Sequence, residues 1–293
     1  MPDLPSLSTK TILITGATNG IGQATAQAIA AQGGRVVIAG RNAAKTESVA
    51  AELRQASGNP AVDFLVADLS SMAQVRQLAA EFTARYDRLH VLVNNAGAFF
   101  MRRQETVDGL EMTFALNHLS YFLLTTLLLD TLETGAPARV INVASAAESS
   151  AKVDWDDLQL TRKYSGFGAY ALSKRFNLYF TYELARRLAG TGVTVNAVHP
   201  GSVATGIWAN PFGRFGGLAK PMTKLMMRSP EQGAETVVYL ATSPEVDGLT
   251  GKYFVDCQAR YSSRASQDPE AARRAWQVSE AWVATSAPAG FDE

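Results

Sequence analysis

The chain of 293 residues carries 27 Lys and Arg against 27 Asp and Glu, so its net charge at pH 7 is zero, and 47% of its residues are apolar. These values are typical of a soluble globular protein, and they argue against nucleic acid or an acidic membrane surface as a partner. The length accommodates one large α/β domain. One cysteine, Cys257, excludes an internal disulfide, and no Cys/His spacing indicates a metal site. We therefore expect a reducing, cytoplasmic setting.

The apolar segments of the chain do not predict a membrane span. Residues 1–9 are short and polar, without the apolar region of a signal peptide. The most apolar segment, residues 119–129, is too short to span a bilayer and contains Ser120, Thr125 and Thr126. We interpret it as a buried core helix or an interface helix.

The first predicted strand, residues 11–14, leads into a glycine-rich turn at residues 15–22 and then into a helical apolar pattern. Glycines permit backbone angles and close approaches that a Cβ would block. A helix start also offers unpaired N–H groups and the positive end of its dipole to an anion. Three spaced glycines alone could serve packing, but the strand–turn–helix context favours a dinucleotide site.

The second predicted strand, residues 35–39, ends at Gly40 and Arg41. In a dinucleotide fold this strand end faces the adenosine ribose, where an acidic residue would accept the 2′-hydroxyl. A guanidinium stands here instead, which suits a 2′-phosphate and favours NADP(H) over NAD(H). The alternative is a solvated arginine at a strand end.

Further strands and helices alternate along the rest of the chain. Strands are predicted at 62–67, 89–93, 139–143, 193–198 and 253–255, and helices at 43–56, 70–86, 108–132, 170–188, 230–242 and 269–283. A polar loop of about twenty residues at 149–168 is expected to be functional or to carry short structure. The pattern predicts a single doubly wound α/β domain over residues 1–293, with a parallel seven-stranded sheet and helices on both faces.

Tyr170 and Lys174 stand four residues apart, which places a phenol and an ammonium on one helix face. At an effective dielectric of 20 and a separation of about 4 Å, their attraction is roughly 4 kcal/mol, or about three pKa units as an upper limit. Such a shift would make Tyr170 a workable acid or base at neutral pH. A Tyr-x-x-x-Lys pair by itself is common on helix surfaces.

The order of these motifs resembles the short-chain dehydrogenase/reductase family over about residues 10–285. The resemblance rests on the glycine turn, Asn94-Asn95-Ala96-Gly97, Asn117, Ser145, Tyr170 with Lys174, and Pro200-Gly201. Within the family the chain is similar to the retinol-dehydrogenase-like branch, whose signs are Gly40-Arg41-Asn42, Leu116-Asn117-His118-Leu119, Asp154-Trp155-Asp156-Asp157-Leu158, His199-Pro200-Gly201 and Ala272-Arg273-Arg274-Ala275-Trp276. Many members of that branch have a membrane anchor before the first strand, which we do not expect here.

The resemblance implies an oxidoreductase that interconverts alcohols and carbonyls. It implies that Tyr170 exchanges a proton with the carbinol oxygen, that Ser145 holds that oxygen, and that Lys174 lowers the pKa of Tyr170 and binds the nicotinamide ribose. Asn117 would position a proton-relaying water, although it could simply satisfy neighbouring backbone. The implied cofactor contacts are Gly16, Thr18, Asn19, Gly20, Ile21, Gly22, Arg41, Asn42, Asp68, Leu69, Asn95, Ala96, Gly97, Tyr170, Lys174, Pro200, Gly201, Val203 and Thr205. Asp68 is equally well explained as a turn former.

A substrate pocket is expected outside the carboxyl ends of the strands, under a lid at about residues 204–228. Its expected lining is Phe99, Phe100, Met101, Ile207, Trp208, Phe212, Phe215, Met222 and Met226. Such a lining suits a bulky apolar ketone, aldehyde or alcohol, but packing of the lid explains these side chains equally well. The resemblance implies a homodimer or homotetramer formed through the helices at 108–132 and 170–188.

Two other functions compete with this prediction. The first is a regulator that senses NADP(H) without turnover, but such a protein has no need of an activated phenol. The second is a sugar-nucleotide epimerase or dehydratase, which also uses a Tyr-x-x-x-Lys pair. Its usual glycine spacing and C-terminal sugar domain are not found, because the spacing here is Gly16-x-x-x-Gly20-x-Gly22 and little chain follows Val255.

Overall fold

A central sheet of eight strands organises the part of the chain that this computed structural model describes, residues 7–203 and 228–285. The strands are β1 (Thr11–Thr15), β2 (Arg35–Gly40), β3 (Val62–Val66), β4 (Val91–Asn94), β5 (Ala138–Val143), β6 (Val193–His199), β7 (Lys252–Val255) and β8 (Gln258–Arg260). The principal helices are α1 (Gly20–Ala31), α2 (Ala43–Ser57), α3 (Met72–Arg85), α4 (Met112–Phe114), α5 (Ser120–Leu127), α6 (Leu129–Thr134), α7 (Gly166–Arg187), α8 (Pro230–Thr242) and α9 (Pro269–Thr285).

The strand order β3-β2-β1-β4-β5-β6-β7-β8 reverses direction at β1. On one side β1 pairs with β2, with Ile14 opposite Ile38, and on the other it pairs with β4, with Ile14 opposite Val93. Strands β1 to β7 are parallel, so their carboxyl ends share one edge of the sheet. A doubly wound sheet opens its ligand crevice at such a switch point.

Continuous burial of the strands explains why helices cover both faces of the sheet. All five residues of β1 are buried. Leu13 packs in a cluster with residues of α3, α5, α7 and α9, whereas Ile12 and Ile14 pack in a second cluster with residues of α1, α2 and α8. Because side chains alternate along a strand, one apolar run contributes to both layers of the core. The predicted fold class is therefore confirmed.

The number of strands differs from the prediction of seven. The short strand β8 pairs antiparallel with β7 through a two-residue turn at Asp256 and Cys257. Both turn residues have left-handed backbone angles, with φ of 51° and 57°. Hairpin turns of this kind favour Asn-Gly, Asp-Gly or Gly-Gly, and Cys257 stands where the glycine is expected, so the usual dipeptide signal was missing.

The predicted long helix at residues 108–132 is divided into several pieces. Glu111 caps its start by accepting hydrogen bonds from the backbone N–H groups of Thr113 and Phe114. A π-helix follows at Ala115–Leu119, and α5 ends at Leu127, before Leu128, where φ is −102°. A π-turn accommodates one residue more than an α-turn and rotates the following side chains, so α-helical periodicity cannot reveal it.

The C-terminal helix α9 lies against α7 and α5. The Trp276 ring packs on Phe122 and Phe180, with centroids 4.8 and 5.9 Å apart, and Ser279 Oγ lies 2.8 Å from His118 Nε2. The faces of α5 and α7 that carry these residues are therefore covered within the chain. The expected pairing of two copies through the helices at 108–132 and 170–188 stays a prediction.

None of the helices in the described ranges combines the length and the apolarity that crossing a bilayer requires.

Candidate active site

The glycine-rich turn after β1 lies directly against the segment that follows β4. Gly16 has φ of 65°, and a Cβ added to it would lie 2.7 Å from the Ala96 Cα. A Cβ on Gly22 would lie 2.5 Å from both Gly16 O and Asn95 Nδ2. The backbone can follow this path only without side chains at these two positions. Asn19 precedes α1 without capping it through its side chain, so the first N–H groups of α1 remain available to an anion.

Asn95 and Thr15 tie the carboxyl ends of β1 and β4 together. The Asn95 side chain donates to Thr15 O at 2.8 Å and to Gly16 O at 3.1 Å. Thr15 Oγ1 accepts from the backbone N–H groups of Asn95 and Ala96 at 3.0 and 3.1 Å. These four hydrogen bonds hold the two loops that border the crevice. This role of Thr15 could not be predicted from the sequence, because a threonine at a strand end has no distinctive spacing.

A cavity of about 220 Å³ lies at this edge of the sheet. Ten of the implied cofactor contacts line it: Gly16, Thr18, Asn19, Ile21, Arg41, Asp68, Leu69, Asn95, Ala96 and Gly97. The structure thus brings together residues from the loops after β1, β2, β3 and β4. Gly20 and Gly22 do not line this cavity, but Gly20 has φ of 54° and Gly22 lies directly against Gly16 O, so both shape the turn.

Two of the implied cofactor contacts have structural partners of their own. Asn42 Oδ1 accepts the backbone N–H of Lys45 at 2.9 Å and so caps α2, and Asn42 does not line the cavity. Asp68 Oδ1 accepts from the backbone N–H and the hydroxyl of Ser70, at 3.0 and 2.8 Å. Asp68 is therefore a turn former that also borders the cavity, whereas Asn42 is a helix cap.

A second, smaller cavity of about 50 Å³ contains the candidate catalytic groups. Ser145 reaches it from the end of β5, Tyr170 and Lys174 from α7, and Pro200, Gly201 and Val203 from the segment after β6. It shares Ile21, Asn95 and Gly97 with the larger cavity, so the two are neighbouring parts of one cleft. The structure therefore brings Ser145 next to Tyr170, although 25 residues separate them in the chain.

The charges in this cavity differ from those that the Tyr-x-x-x-Lys spacing predicted. Burial raises the pKa of Tyr170, and a hydrogen bond with Ser145 lowers it in part. Burial lowers the pKa of Lys174 to about 7. Lys174 Nζ donates to Val143 O at 2.7 Å and lies 5.6 Å from the centroid of the Tyr170 ring. The pKa of Tyr170 is therefore shifted upwards and not, as the spacing predicted, downwards, because loss of hydration is the largest influence on it.

Asn117 lies at the centre of the π-helix and is fully buried. Its Oδ1 accepts the backbone N–H of Ala98 at 2.9 Å, and its Nδ2 donates to Ala98 O at 3.0 Å and to Ser173 Oγ at 3.1 Å. The side chain thus joins the loop after β4 to α7, next to Lys174. These bonds match the simpler interpretation, in which Asn117 satisfies neighbouring groups. A π-helix at this place is typical of functional sites.

The expected substrate lining is only partly described. The Phe99 ring lies 6.0 Å from the Tyr170 ring in an edge-to-face contact, and Met101 is 60% exposed. Gly166, at the start of α7, lies directly against the backbone of Phe100 and Met101. The cofactor contact Thr205 lies outside the described residues. The other predicted pocket residues lie outside them too: Ile207, Trp208, Phe212, Phe215, Met222 and Met226.

Comparison with known proteins identifies the family. The model of the short chain dehydrogenase family matches residues 10–212, which is more than half of the chain. The chain belongs to this family. Human retinol dehydrogenase 13 is 40% identical over 98% of this chain and 88% of its own length, which confirms the predicted retinol-dehydrogenase-like branch. Human polyprenol dehydrogenase is 39% identical, over 95% of this chain and 86% of its own length.

A solved structure of the same fold also bears on this short-chain dehydrogenase. The Pseudomonas aeruginosa RhlG/NADP active-site complex is 30% identical, covers 87% of this chain and 97% of its own, and superposes with a TM-score of 0.70. The family consists of oxidoreductases that use nicotinamide cofactors. The cavity beside the glycine-rich turn is at the edge of the sheet where this fold binds a dinucleotide.

Proposed function

We propose that this short-chain dehydrogenase is an NADP(H)-dependent oxidoreductase that interconverts an apolar alcohol and its aldehyde or ketone. The observation that carries the proposal is the meeting of Ser145, Tyr170 and Lys174 at one cavity, which continues into the cavity of the glycine-rich turn. Neither the glycine spacing nor the Tyr-x-x-x-Lys pair requires this juxtaposition. The two joined cavities supply an anion cradle and a proton-transfer group within one cleft.

The residues present fit a nicotinamide dinucleotide. Gly16 lines the cavity without a Cβ, which would meet the Ala96 backbone, and the first N–H groups of α1 are available for a pyrophosphate. When bound, the cofactor supplies or accepts the hydride. Asn95, Gly97, Pro200 and Gly201 would surround its nicotinamide half, since they line the part of the cleft next to Tyr170.

Proton transfer is assigned to the Tyr170 hydroxyl, with Ser145 holding the substrate oxygen. The Ser145 hydrogen bond favours the phenolate and partly offsets the effect of burial on the pKa of Tyr170. Lys174 has a pKa of about 7, so it exchanges protons readily at neutral pH. We assign it the return of the proton to Tyr170 and, when charged, the stabilisation of the phenolate.

The preference for NADP(H) rests on Arg41. This exposed side chain borders the cavity directly after β2, where a carboxylate would be expected for NAD(H). A Cβ on Gly40 would lie 2.5 Å from both Thr18 Cγ2 and Thr46 Oγ1, so that position leaves no room for an acidic side chain. A guanidinium can bind a 2′-phosphate through two hydrogen bonds, which supports the proposed specificity.

The proposed substrate class follows from the lining and from the relatives. Two similar proteins are named for retinol and for polyprenol, and both compounds are long apolar alcohols. Phe99, packed against Tyr170, supplies an apolar surface beside the catalytic hydroxyl. We propose that the substrate is a long apolar alcohol or its carbonyl.

Location and assembly also remain proposals. A cytoplasmic location fits the single free cysteine, Cys257. A homodimer or homotetramer would have to form through surfaces other than the faces of α5 and α7 that α9 covers. Light scattering after size-exclusion chromatography measures the mass of the assembly and decides between the two.

The proposal is tested by following NADPH absorbance at 340 nm with all-trans-retinal, a polyprenal and simple ketones as substrates. Tyr170→Phe is expected to lower kcat by at least about a hundredfold, because it removes the exchangeable proton while retaining the ring. Its dissociation constant for NADPH should remain close to the wild-type value. Tight NADPH binding without turnover of any carbonyl would instead support a cofactor-sensing protein and contradict the proposed function.

A further inference from the structure

A buried ion pair lies immediately behind the candidate catalytic residues. Arg175 Nε donates to Glu148 Oε2 at 2.7 Å, and Arg175 Nη2 donates to the Glu148 backbone O at 2.8 Å. Both side chains are only 3% exposed. A guanidinium and a carboxylate are placed at such depth only at a high cost in hydration, which their attraction offsets only when the geometry is good and further hydrogen bonds satisfy both groups.

The pair joins three separate parts of the chain. Glu148 belongs to the 3-10 helix Ala146–Ser150, and Arg175 belongs to α7. The carboxylate also accepts the backbone N–H of Ser263 at 2.8 Å and its hydroxyl at 2.9 Å. Ser263 starts the short helix Arg264–Gln267, which leads to α9. The carboxylate is therefore held by three donors from two other elements.

The ion pair is joined to the catalytic residues through the backbone. Arg175 is the residue after Lys174, and the backbone N–H of Glu148 donates to Ser145 O at 3.1 Å. Ser145 Oγ in turn accepts the backbone N–H of Ala147 at 3.2 Å. Ser145 thus begins the turn that Glu148 holds against α7. The direction of the Ser145 hydroxyl depends on where this turn lies relative to Tyr170.

We infer that Glu148 and Arg175 are positioning residues, which fix Ser145 at hydrogen-bond distance from Tyr170 and hold Lys174 in the same cavity. The inference rests on the proposed function for its kinetic consequences, but the geometry itself can be tested without turnover. The ion pair acts through the two backbones on which it lies and does not line the catalytic cavity. Its effect should therefore appear in the chemical step, and NADPH binding should change little, because the glycine-rich turn and Arg41 lie on other loops.

The experiment compares Glu148→Gln with Glu183→Gln in the full-length protein. Glu183 also lies on α7 and forms ion pairs with Arg186 and Arg187, but it is near the far end of the helix. Glu148→Gln should lower kcat by about tenfold to a hundredfold, with the dissociation constant of NADPH changed by less than about twofold. Glu183→Gln should leave both values at the wild-type level. A third variant, Ser263→Ala, keeps the ion pair and should cause a smaller loss of kcat.

A second readout needs neither cofactor nor substrate. Acylation of Lys174 by a small reagent, followed by mass spectrometry, should be faster in Glu148→Gln than in the wild type, because a loosened turn opens the buried amine to solvent. Glu183→Gln should show the wild-type rate.

Wild-type kcat and labelling in Glu148→Gln would overturn the inference, as would equal effects of Glu148→Gln and Glu183→Gln. If the wild-type protein turns over no carbonyl, the proposed function fails, and the labelling still decides whether the pair positions Lys174.

Discussion

His118 links three buried helices and provides a quantitative test of the structure. Its Nδ1 lies 3.2 Å from Asn177 Oδ1 on α7, and its Nε2 lies 2.8 Å from Ser279 Oγ on α9. The ring also packs edge-to-face on Phe114 and Phe176. Burial in these surroundings lowers the pKa of His118 from 6.5 to about 3, despite the hydrogen bond with Asn177. The folded protein therefore holds this imidazole neutral at any pH near neutrality.

The size of the effect of His118 on the free energy of unfolding follows from proton linkage. Between pH 6.5 and pH 3 the unfolded chain binds a proton at His118 and the folded protein does not. The free energy of unfolding therefore falls as the pH decreases through this window. At pH 5, which is 1.5 units below the ordinary pKa, the loss relative to pH 8 is about 2 kcal/mol. Above pH 6.5 the contribution of His118 is fully present.

The assay is urea-induced unfolding at pH 8 and at pH 5. His118→Gln removes the titrating group and keeps a side chain able to hydrogen-bond, so its unfolding free energy should fall by about 2 kcal/mol less than that of the wild type between the two pH values. His90→Gln serves as the comparison, because it keeps His118 and removes a less deeply buried histidine, so its free energy of unfolding should fall between pH 8 and pH 5 nearly as much as that of the wild type. An unchanged pH dependence in His118→Gln would refute the reasoning.

Three further substitutions, one of them with a matched control, test the cofactor site and the C-terminal helix. Arg41→Asp should weaken NADPH binding by about tenfold to a hundredfold and leave NADH binding nearly unchanged, as fluorescence titration would show. Gly16→Ala should abolish NADPH binding, because its Cβ would meet the Ala96 backbone, whereas Gly33→Ala, which also has a positive φ but open space around it, should only reduce thermal stability. Trp276→Ala should lower the free energy of unfolding by about 3–5 kcal/mol in urea titrations, and a loss below 1 kcal/mol would contradict the observed packing of α9.

Local patterns were sufficient to predict most of the helices and strands. The apolar run of β1 and the apolar stripe along α7 are the residues that become buried on a sheet or a helix face. Because buried positions recur with the period of the strand or the helix, the pattern is visible in the sequence. The glycine-rich turn was predictable because only glycine tolerates a φ of 65° so close to the Ala96 backbone. The spacing of Tyr170 and Lys174 likewise follows from helix geometry.

The electrostatic state of the site was decided by the tertiary structure. From spacing alone, Lys174 should lower the pKa of Tyr170. In the folded protein burial raises the pKa of Tyr170 and lowers that of Lys174, because the surrounding helices remove water from both groups. Hydration depends on how all the neighbouring elements pack, so no local pattern contains it.

The amino-acid sequence by itself determined the doubly wound sheet, the phosphate-binding turn and the helix that carries Tyr170, because each depends on residues close together in the chain. The tertiary structure alone decided which distant polar groups meet. Ser279 reaches His118 across 161 positions, and Ser263 reaches Glu148 across 115. Each such contact satisfies a polar group that burial would otherwise leave unpaired, and its partner is chosen by the packing of α7 and α9 and not by any spacing in the chain.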